Sequence, residues 1–169
     1  MAVTDSVPVV SDAGPLIHLD ELSCLELLGG LGVILVPRIV WAETVRHRPQ
    51  LALRNVPGAN ITDVAAEPSA RLLSLSDSLE LDAGERAALA LLESISAKWF
   101  LCDDAAARLA AESLGGKVHG TIGILLRSIR TAMRTRTQIL DILRALPRTS
   151  SLHLSHRLLQ RVIAEVERG

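Results

Sequence analysis

Short apolar runs alternate with helical patterns along this chain. The runs at residues 7–10, 33–36 and 99–102 predict buried strands, and shorter strands are expected at 61–64 and 118–119. Residues 47–76 contain three prolines, so we expect this stretch to be loop apart from its one strand.

Apolar residues at helical spacing predict the helices between these strands. The first helix is expected to begin near Pro15 and to stop at Gly29-Gly30, and the second begins at Pro37. Later helices are predicted over 82–92 and 105–114, from Thr121, over 135–146 and over 155–166. Because strands alternate with helices, we predict an α/β fold of three layers, α/β/α, with a central and mainly parallel sheet.

Length and composition favour one domain outside the membrane. A chain of 169 residues is about one domain long, so we expect a single domain over 1–169, with an α/β core over about 1–125 and additional C-terminal helices over about 126–169. The uncharged stretches are too short to span a bilayer, and residues 1–10 do not resemble a secretory signal. Cys24 and Cys102 lie far apart in apolar runs, so we expect buried free thiols and a cytoplasmic protein.

The net charge of −1 hides an uneven distribution of charge. Residues 1–112 contain 16 acidic and 8 basic side chains, whereas residues 113–164 contain 9 basic side chains and one acidic one. This division suits a protein that gathers carboxylates around a cation and places arginines against a polyanion. It is also compatible with ordinary solvated helix surfaces.

Acidic residues follow two of the predicted strands directly. Asp12 comes after the first strand, and Asp103-Asp104 comes after the strand that ends at Cys102. Functional crevices in parallel sheets lie beyond the carboxyl ends of the strands. We therefore expect these acids at one edge of the sheet, where Glu43 and Glu85 could join them from their own helices.

Gathered carboxylates repel one another and raise each other's pKa values unless a cation neutralises them. Oxygen ligands of this kind suit Mg²⁺ or Mn²⁺, and no grouping of histidines or cysteines in the sequence favours zinc. A divalent ion can activate water and stabilise the charge that develops on a phosphate. The chemistry predicted from these residues is metal-assisted hydrolysis of phosphodiesters.

Each of these residues also has a purely structural interpretation. Asp12, Thr121 and one carboxylate of the Asp103-Asp104 pair could cap helices, and Glu43 could be a solvated surface residue. Glu85 could complete a capping box with Asp82. The five histidines share no metal-ligand spacing, and we assign them no role.

Four segments follow one another in a recognisable order. They are the run Val9-Val10-Ser11-Asp12-Ala13-Gly14-Pro15-Leu16-Ile17, the Gly84-Glu85-Arg86-Ala87-Ala88 helix, the Leu101-Cys102-Asp103-Asp104 segment, and Gly120-Thr121-Ile122-Gly123-Ile124-Leu125. Together they resemble the PIN-domain family, especially the branch related to VapC toxins. Residues 151–166 also resemble the C-terminal helix of that branch.

The resemblance implies a PIN-like fold and a Mg²⁺- or Mn²⁺-dependent enzyme that cleaves RNA. Asp12, Glu43, Glu85 and Asp103 would be its catalytic acids, and the metal ligands would come from Asp12, Glu85, Asp103 and Asp104. Ser11 and Thr121 would support these ligands or bind phosphate. Many relatives have a Thr or Ser directly after the first Asp, where this chain has Ala13. The resemblance further implies the toxin of a type II toxin-antitoxin module, with an antitoxin protein as partner, and a homodimer.

A possible RNA contact is formed by Arg127, Arg130 and Arg134, whose spacing would place them on one face of a helix. Phosphate contacts of this type give salt-sensitive affinity with little sequence selectivity.

Three functions are therefore open. The first is the metal-dependent ribonuclease. The second is a catalytically weak module of the same fold that binds an antitoxin-like protein. The third is a receiver-like domain that accepts a phosphoryl group, although no Lys follows Thr121 as such a domain would need.

Overall fold

A computed structural model describes residues 7–65 and 67–169. Its centre is a parallel sheet with the strand order β3-β2-β1-β4-β5. The strands are β1 (Val9–Ser11), β2 (Ile34–Pro37), β3 (Ala59–Thr62), β4 (Trp99–Leu101) and β5 (Lys117–His119). Every neighbouring pair is parallel, which confirms the predicted α/β/α fold.

Helices connect the strands, and three further helices follow β5. The α-helices of the described residues are α1 (Ala13–Glu21), α2 (Arg38–His47), α3 (Ala70–Ser78), α4 (Ala83–Ser94), α5 (Ala105–Ser113), α6 (Thr121–Arg130), α7 (Arg136–Thr149) and α8 (His156–Arg168). Two 3-10 helices, Leu25–Leu31 and Pro49–Leu53, fill connections between them. None of the described helices is long and apolar enough to cross a membrane.

The register of the two central strands brings their last residues side by side. Ser11 at the end of β1 pairs with Leu101 at the end of β4, and the Asp12 N–H donates to the Leu101 carbonyl at 2.9 Å. The buried cluster that includes Val10 and Phe100 fixes this part of the sheet. The first residues beyond β1 and β4 are therefore held next to each other.

The first helix ends earlier than its apolar pattern predicts. Helix α1 stops at Glu21, because Ser23 adopts a left-handed backbone with φ of 55°. The Cys24 N–H then donates to the Leu19 carbonyl at 2.7 Å and closes the turn. The expected continuation to Gly29-Gly30 is wrong, since a separate 3-10 helix occupies that stretch. A left-handed serine in place of the usual glycine gives no clear sequence signal.

The expectation of loop over 47–76 is also partly wrong. Strand β3 lies two residues before the predicted one, and α3 was not predicted. Ser69 begins α3, with its hydroxyl oxygen accepting the Leu72 N–H at 3.1 Å, and the same hydroxyl donates to Glu93 at 2.8 Å. Leu72 is buried, so this helix is stabilised by packing that a local pattern does not reveal.

Helix α7 runs three residues further than predicted, to Thr149. Pro147 lies in its last turn, where a proline gives up one backbone hydrogen bond without ending the helix. The Ser150 N–H still donates to the Leu146 carbonyl at 3.0 Å. Cys24 and Cys102 are both buried and form no disulfide, as expected.

A buried carboxylate at the end of α1 holds the second 3-10 helix. Asp20 accepts hydrogen bonds from Arg48 at 2.6 Å, Gln50 at 2.6 Å and Arg54 at 2.9 Å. Its side chain is 1% exposed, whereas those of Arg48 and Arg54 are 31% and 60% exposed. The carboxylate is thus the desolvated partner, and these hydrogen bonds compensate for its burial.

We predict that Asp20→Ala lowers the free energy of unfolding by about 1.5–3 kcal/mol, because hydrogen bonds to a buried charge are lost while the arginines return to water. Urea denaturation measures the change. The matched control is Asp63→Ala, which removes the exposed ion pair with Arg38 and should leave stability nearly unchanged. Equal losses in the two variants would contradict the prediction.

Candidate active site

Asp12 is the most deeply buried acid at the carboxyl edge of the sheet. It is 7% exposed and lies at the first position before α1. Its side chain makes no capping hydrogen bond to that helix, so the interpretation of Asp12 as a simple helix cap fails. Its Oδ2 lies 3.8 Å from Cys102 Sγ. The carboxylate is therefore available to the space in front of the sheet.

That space is an open cleft of about 400 Å³. The five predicted acids, Asp12, Glu43, Glu85, Asp103 and Asp104, all line it. Asp82 lines it as well. The carboxyl ends of β1 and β4 deliver three of the predicted acids, and helices α2 and α4 deliver the others. The structure thus brings together residues that are up to 92 positions apart in the sequence.

Gly84 makes room for two of these acids. A Cβ at this position would lie 3.1 Å from Glu43 Oε2 and 3.3 Å from Asp82 Oδ1. Such distances are tighter than most real Cβ contacts. A side chain at position 84 would therefore crowd the carboxylate of Glu43, which explains the glycine that directly precedes Glu85.

Glu85 has the capping role that its spacing indicated. The Glu85 N–H donates to Asp82 Oδ1 and the Asp82 N–H donates to Glu85 Oε2, both at 2.8 Å. The same carboxylate lines the cleft. Capping and a place in the acidic cluster are therefore compatible at Glu85.

The adjacent aspartates differ in their partners. Asp103 accepts the Thr121 N–H at 2.7 Å and the Thr121 hydroxyl at 2.6 Å, and it also contacts His18 Nδ1 at 2.8 Å. Asp104 uses only Oδ1, which accepts the N–H groups of Ala106 and Ala107 at the start of α5. Asp104 thus caps a helix with one oxygen and retains the other.

Burial and mutual repulsion raise the pKa of two acids in the cleft. The pKa of Asp12 rises to about 6, mainly through burial and further through the charges of Glu43, Asp82 and Asp104. The pKa of Glu85 rises to about 7, again mainly through burial and then through Asp82, Asp104 and Asp12. Asp104 contributes to both shifts.

Comparison with known families gives a match that is consistent with an acidic cleft at the sheet edge. A family model described as a PIN domain matches residues 8–168. The chain belongs to the PIN-domain family. PIN domains are generally nucleases and typically use divalent metals, so the chain is a member of a nuclease superfamily. This assignment argues against a receiver-like domain. The comparison with curated proteins gives no match.

The donors in this PIN domain fit a hard divalent ion by their chemistry, because they are carboxylates that share one cleft and a cation would relieve their repulsion. As placed over residues 7–65 and 67–169, no three histidine, cysteine, aspartate or glutamate side chains could together hold one ion. Holding an ion therefore requires some of these side chains to move from their present positions.

Ser11 and Thr121 lie behind the acids that line the cleft. Both are fully buried. The Ser11 hydroxyl donates to the Asp12 carbonyl at 2.9 Å, whereas Thr121 donates to Asp103. A Cβ at Gly120 would lie 2.6 Å from Asp103 Oδ1, so the residue before Thr121 must lack a side chain. These contacts orient Asp12 and Asp103 from behind.

The arginines predicted to contact RNA do not share a helix face. Helix α6 ends at Arg130, and Arg134 lies in the turn beyond it, where it pairs with Glu26. Arg127 donates to the Gly30 carbonyl at 2.7 Å. The expectation that their spacing places all three on one helix face is therefore wrong, because α6 stops short of Arg134. None of the three lines the acidic cleft.

Several residues of the cleft were not predicted from the sequence. His18 lies one turn after Gly14 on α1 and contacts Asp103, a contact that no local pattern indicates. His47 at the end of α2 and the segment 151–153 also line the cleft. Nothing local in segment 151–153 indicates a place beside Asp12, since it reaches the cleft through the packing of the C-terminal helices.

We predict that Asp12→Asn stabilises the metal-free protein at pH 7.5 by on the order of 1–3 kcal/mol. The pKa of Asp12 in the folded protein, about 6, lies above its ordinary 3.8, so the folded state binds more protons between these values. Stability then falls as the pH rises from about 4 to 6, and Asn removes this loss.

Urea denaturation of the metal-free protein at pH 4 and at pH 7.5 measures the effect. The advantage of Asp12→Asn should shrink towards pH 4, where the wild-type carboxyl is protonated in the folded state. Asp141→Asn, at an exposed position on α7, is the control and should show no such dependence. An Asp12→Asn variant that is less stable than the wild type at pH 7.5 would contradict the prediction.

Proposed function

We propose that this PIN domain is a metal-dependent endoribonuclease that uses Mg²⁺ or Mn²⁺ to hydrolyse phosphodiester bonds in RNA. The observation that carries the proposal is the crowded cleft, in which buried Asp12 shares one space with acids from α2, α4 and the β4–α5 connection. Such repulsion is costly for the protein alone, and a bound cation would offset it.

Asp12, Glu43, Glu85 and Asp104 are the residues that we propose to hold the metal. Asp104 takes precedence over Asp103, because Asp103 is already bonded to Thr121 and His18 through both of its oxygens. A divalent ion in such a site supplies an activated water and neutralises the charge that develops on the phosphate. Asp103 then acts by holding the start of α6 and His18 in place.

RNA as substrate, and a role as a VapC-like toxin, are supported by the resemblance of the four sequence segments. On the same basis we propose an antitoxin protein as partner, a homodimer and a cytoplasmic location. The buried free thiols of Cys24 and Cys102 are compatible with a reducing compartment.

A second candidate is a catalytically weak PIN domain that binds a protein partner. The placement of the acids favours it, because no three histidine, cysteine, aspartate or glutamate side chains of residues 7–65 and 67–169 are placed to hold one ion together. If the side chains keep these positions when metal is added, efficient cleavage is not expected.

We predict metal-dependent cleavage that vanishes in Asp12→Asn. The purified protein is incubated with a labelled single-stranded RNA pool and Mn²⁺, Mg²⁺ or EDTA, and the products are separated by gel electrophoresis. Cleavage in EDTA, or equal cleavage by the wild type and Asp12→Asn, would indicate a contaminating nuclease and contradict the proposal.

Asp104→Asn and Asp103→Asn distinguish the proposed ligand from the supporting residue. Asn can still cap α5, so Asp104→Asn removes charge with little change in the helix. We expect Asp104→Asn to abolish Mn²⁺ binding in calorimetry, whereas Asp103→Asn weakens it by about 10- to 100-fold, as losses behind a metal site do. Asp141→Asn is the control. A larger loss in Asp103→Asn would assign the direct contact to Asp103.

A further inference from the structure

The connection between α7 and α8 forms part of the cleft rim. We call residues 150–155 the strap. Three consecutive strap residues, Ser151, Leu152 and His153, line the cleft together with the acids. Leu152 is half-buried and packs against the hydrophobic core, which orients the residues on either side of it. The strap is therefore a fixed part of the candidate active site.

Glu21, the last residue of α1, anchors the strap. Its carboxylate accepts the Ser150 hydroxyl at 2.8 Å, the Ser151 N–H at 2.7 Å and the Ser151 hydroxyl at 2.9 Å. The Ser150 oxygen also accepts the Leu152 N–H at 3.1 Å. Burial acts to raise the pKa of Glu21, but these hydrogen bonds outweigh it and lower the pKa, so the anchor is a carboxylate at neutral pH.

The helix that carries this anchor also carries the central acid. Helix α1 follows Asp12 directly and ends at Glu21. The anchor therefore sets the position of the strap relative to Asp12 through one rigid helix. A strap without this anchor would be joined to α1 only through side-chain packing.

An RNA strand in this cleft requires cationic or donor groups, because the acids repel its phosphates. The basic side chains that line the cleft are those of His18, His47 and His153. His18 is engaged by Asp103, and the His47 Nδ1–H donates to the Glu43 carbonyl at 3.0 Å. His153 is exposed, and its ring has no hydrogen-bond partner among the described residues.

We propose that His153 contacts the phosphate backbone of the RNA strand in the cleft, and that Glu21 is the positioning residue that holds His153 there through the strap. This inference rests on the proposed ribonuclease function. An imidazole N–H of His153 is a suitable donor to a phosphate oxygen, and such a contact distinguishes no base. The contact of His153 contributes to substrate binding, whereas the acids bind the metal.

The test is a double-mutant cycle on steady-state RNA cleavage with Mn²⁺. We expect His153→Ala to raise KM by about tenfold with kcat within about twofold, since a ground-state contact is lost. His153→Arg retains a donor and should restore most of the affinity. Glu21→Ala should raise KM similarly, and Glu21→Gln, which keeps an acceptor oxygen, should raise it less.

The double variant Glu21→Ala/His153→Ala should be no worse than either single variant, because both changes remove one contact. His156→Ala, at an exposed histidine at the start of α8 and outside the cleft, is the matched control and should keep the wild-type KM. Thermal unfolding and Mn²⁺ calorimetry of each variant show whether the fold and the metal site are retained.

If the wild type cleaves RNA, three results would overturn this inference and leave the proposed function intact. They are a KM for His153→Ala equal to that of His156→Ala, additive losses in the double variant, and a fall in kcat with unchanged KM. Absence of cleavage by the wild-type protein would overturn the proposed function, and this inference with it.

Discussion

The burial of Asp12 beside other carboxylates is the constraint on which this structure depends. The parallel sheet places the ends of β1 and β4 side by side, so Asp12 and Asp104 emerge next to each other. Helices α2 and α4 add Glu43 and Glu85 to the same cleft. Burial and repulsion then raise the pKa of Asp12 to about 6, a cost that a protein without a use for clustered acids would avoid.

Neighbouring backbone is arranged to keep these acids in place. Gly84 leaves room for Glu43, and Gly120 leaves room for Asp103. At the starts of α4 and α5, one oxygen of Glu85 and one oxygen of Asp104 accept backbone N–H groups. Both oxygens of Asp103 accept hydrogen bonds from Thr121 and His18. Glu85 and Asp104 therefore each retain one oxygen that accepts no hydrogen bond from the described residues.

The strand ends and their acids could be predicted from sequence, because a polar residue directly after a buried strand has a fixed place at the sheet edge. Glu85 was predictable from its capping box. His18 and His153 were not, since their roles depend on α1 and on the strap reaching the same cleft. The expectation that Arg127, Arg130 and Arg134 share one helix face was wrong because α6 ends at Arg130, a boundary that helical spacing does not indicate.

A crystal structure of the protein with bound Mn²⁺ tests the central claim most directly. We expect an anomalous peak in the cleft, within bonding distance of carboxylate oxygens of Asp12 and Asp104, with side chains of the acids moved from the positions described above. A cleft without a peak at saturating Mn²⁺, with the acids in the positions described above, would contradict that claim.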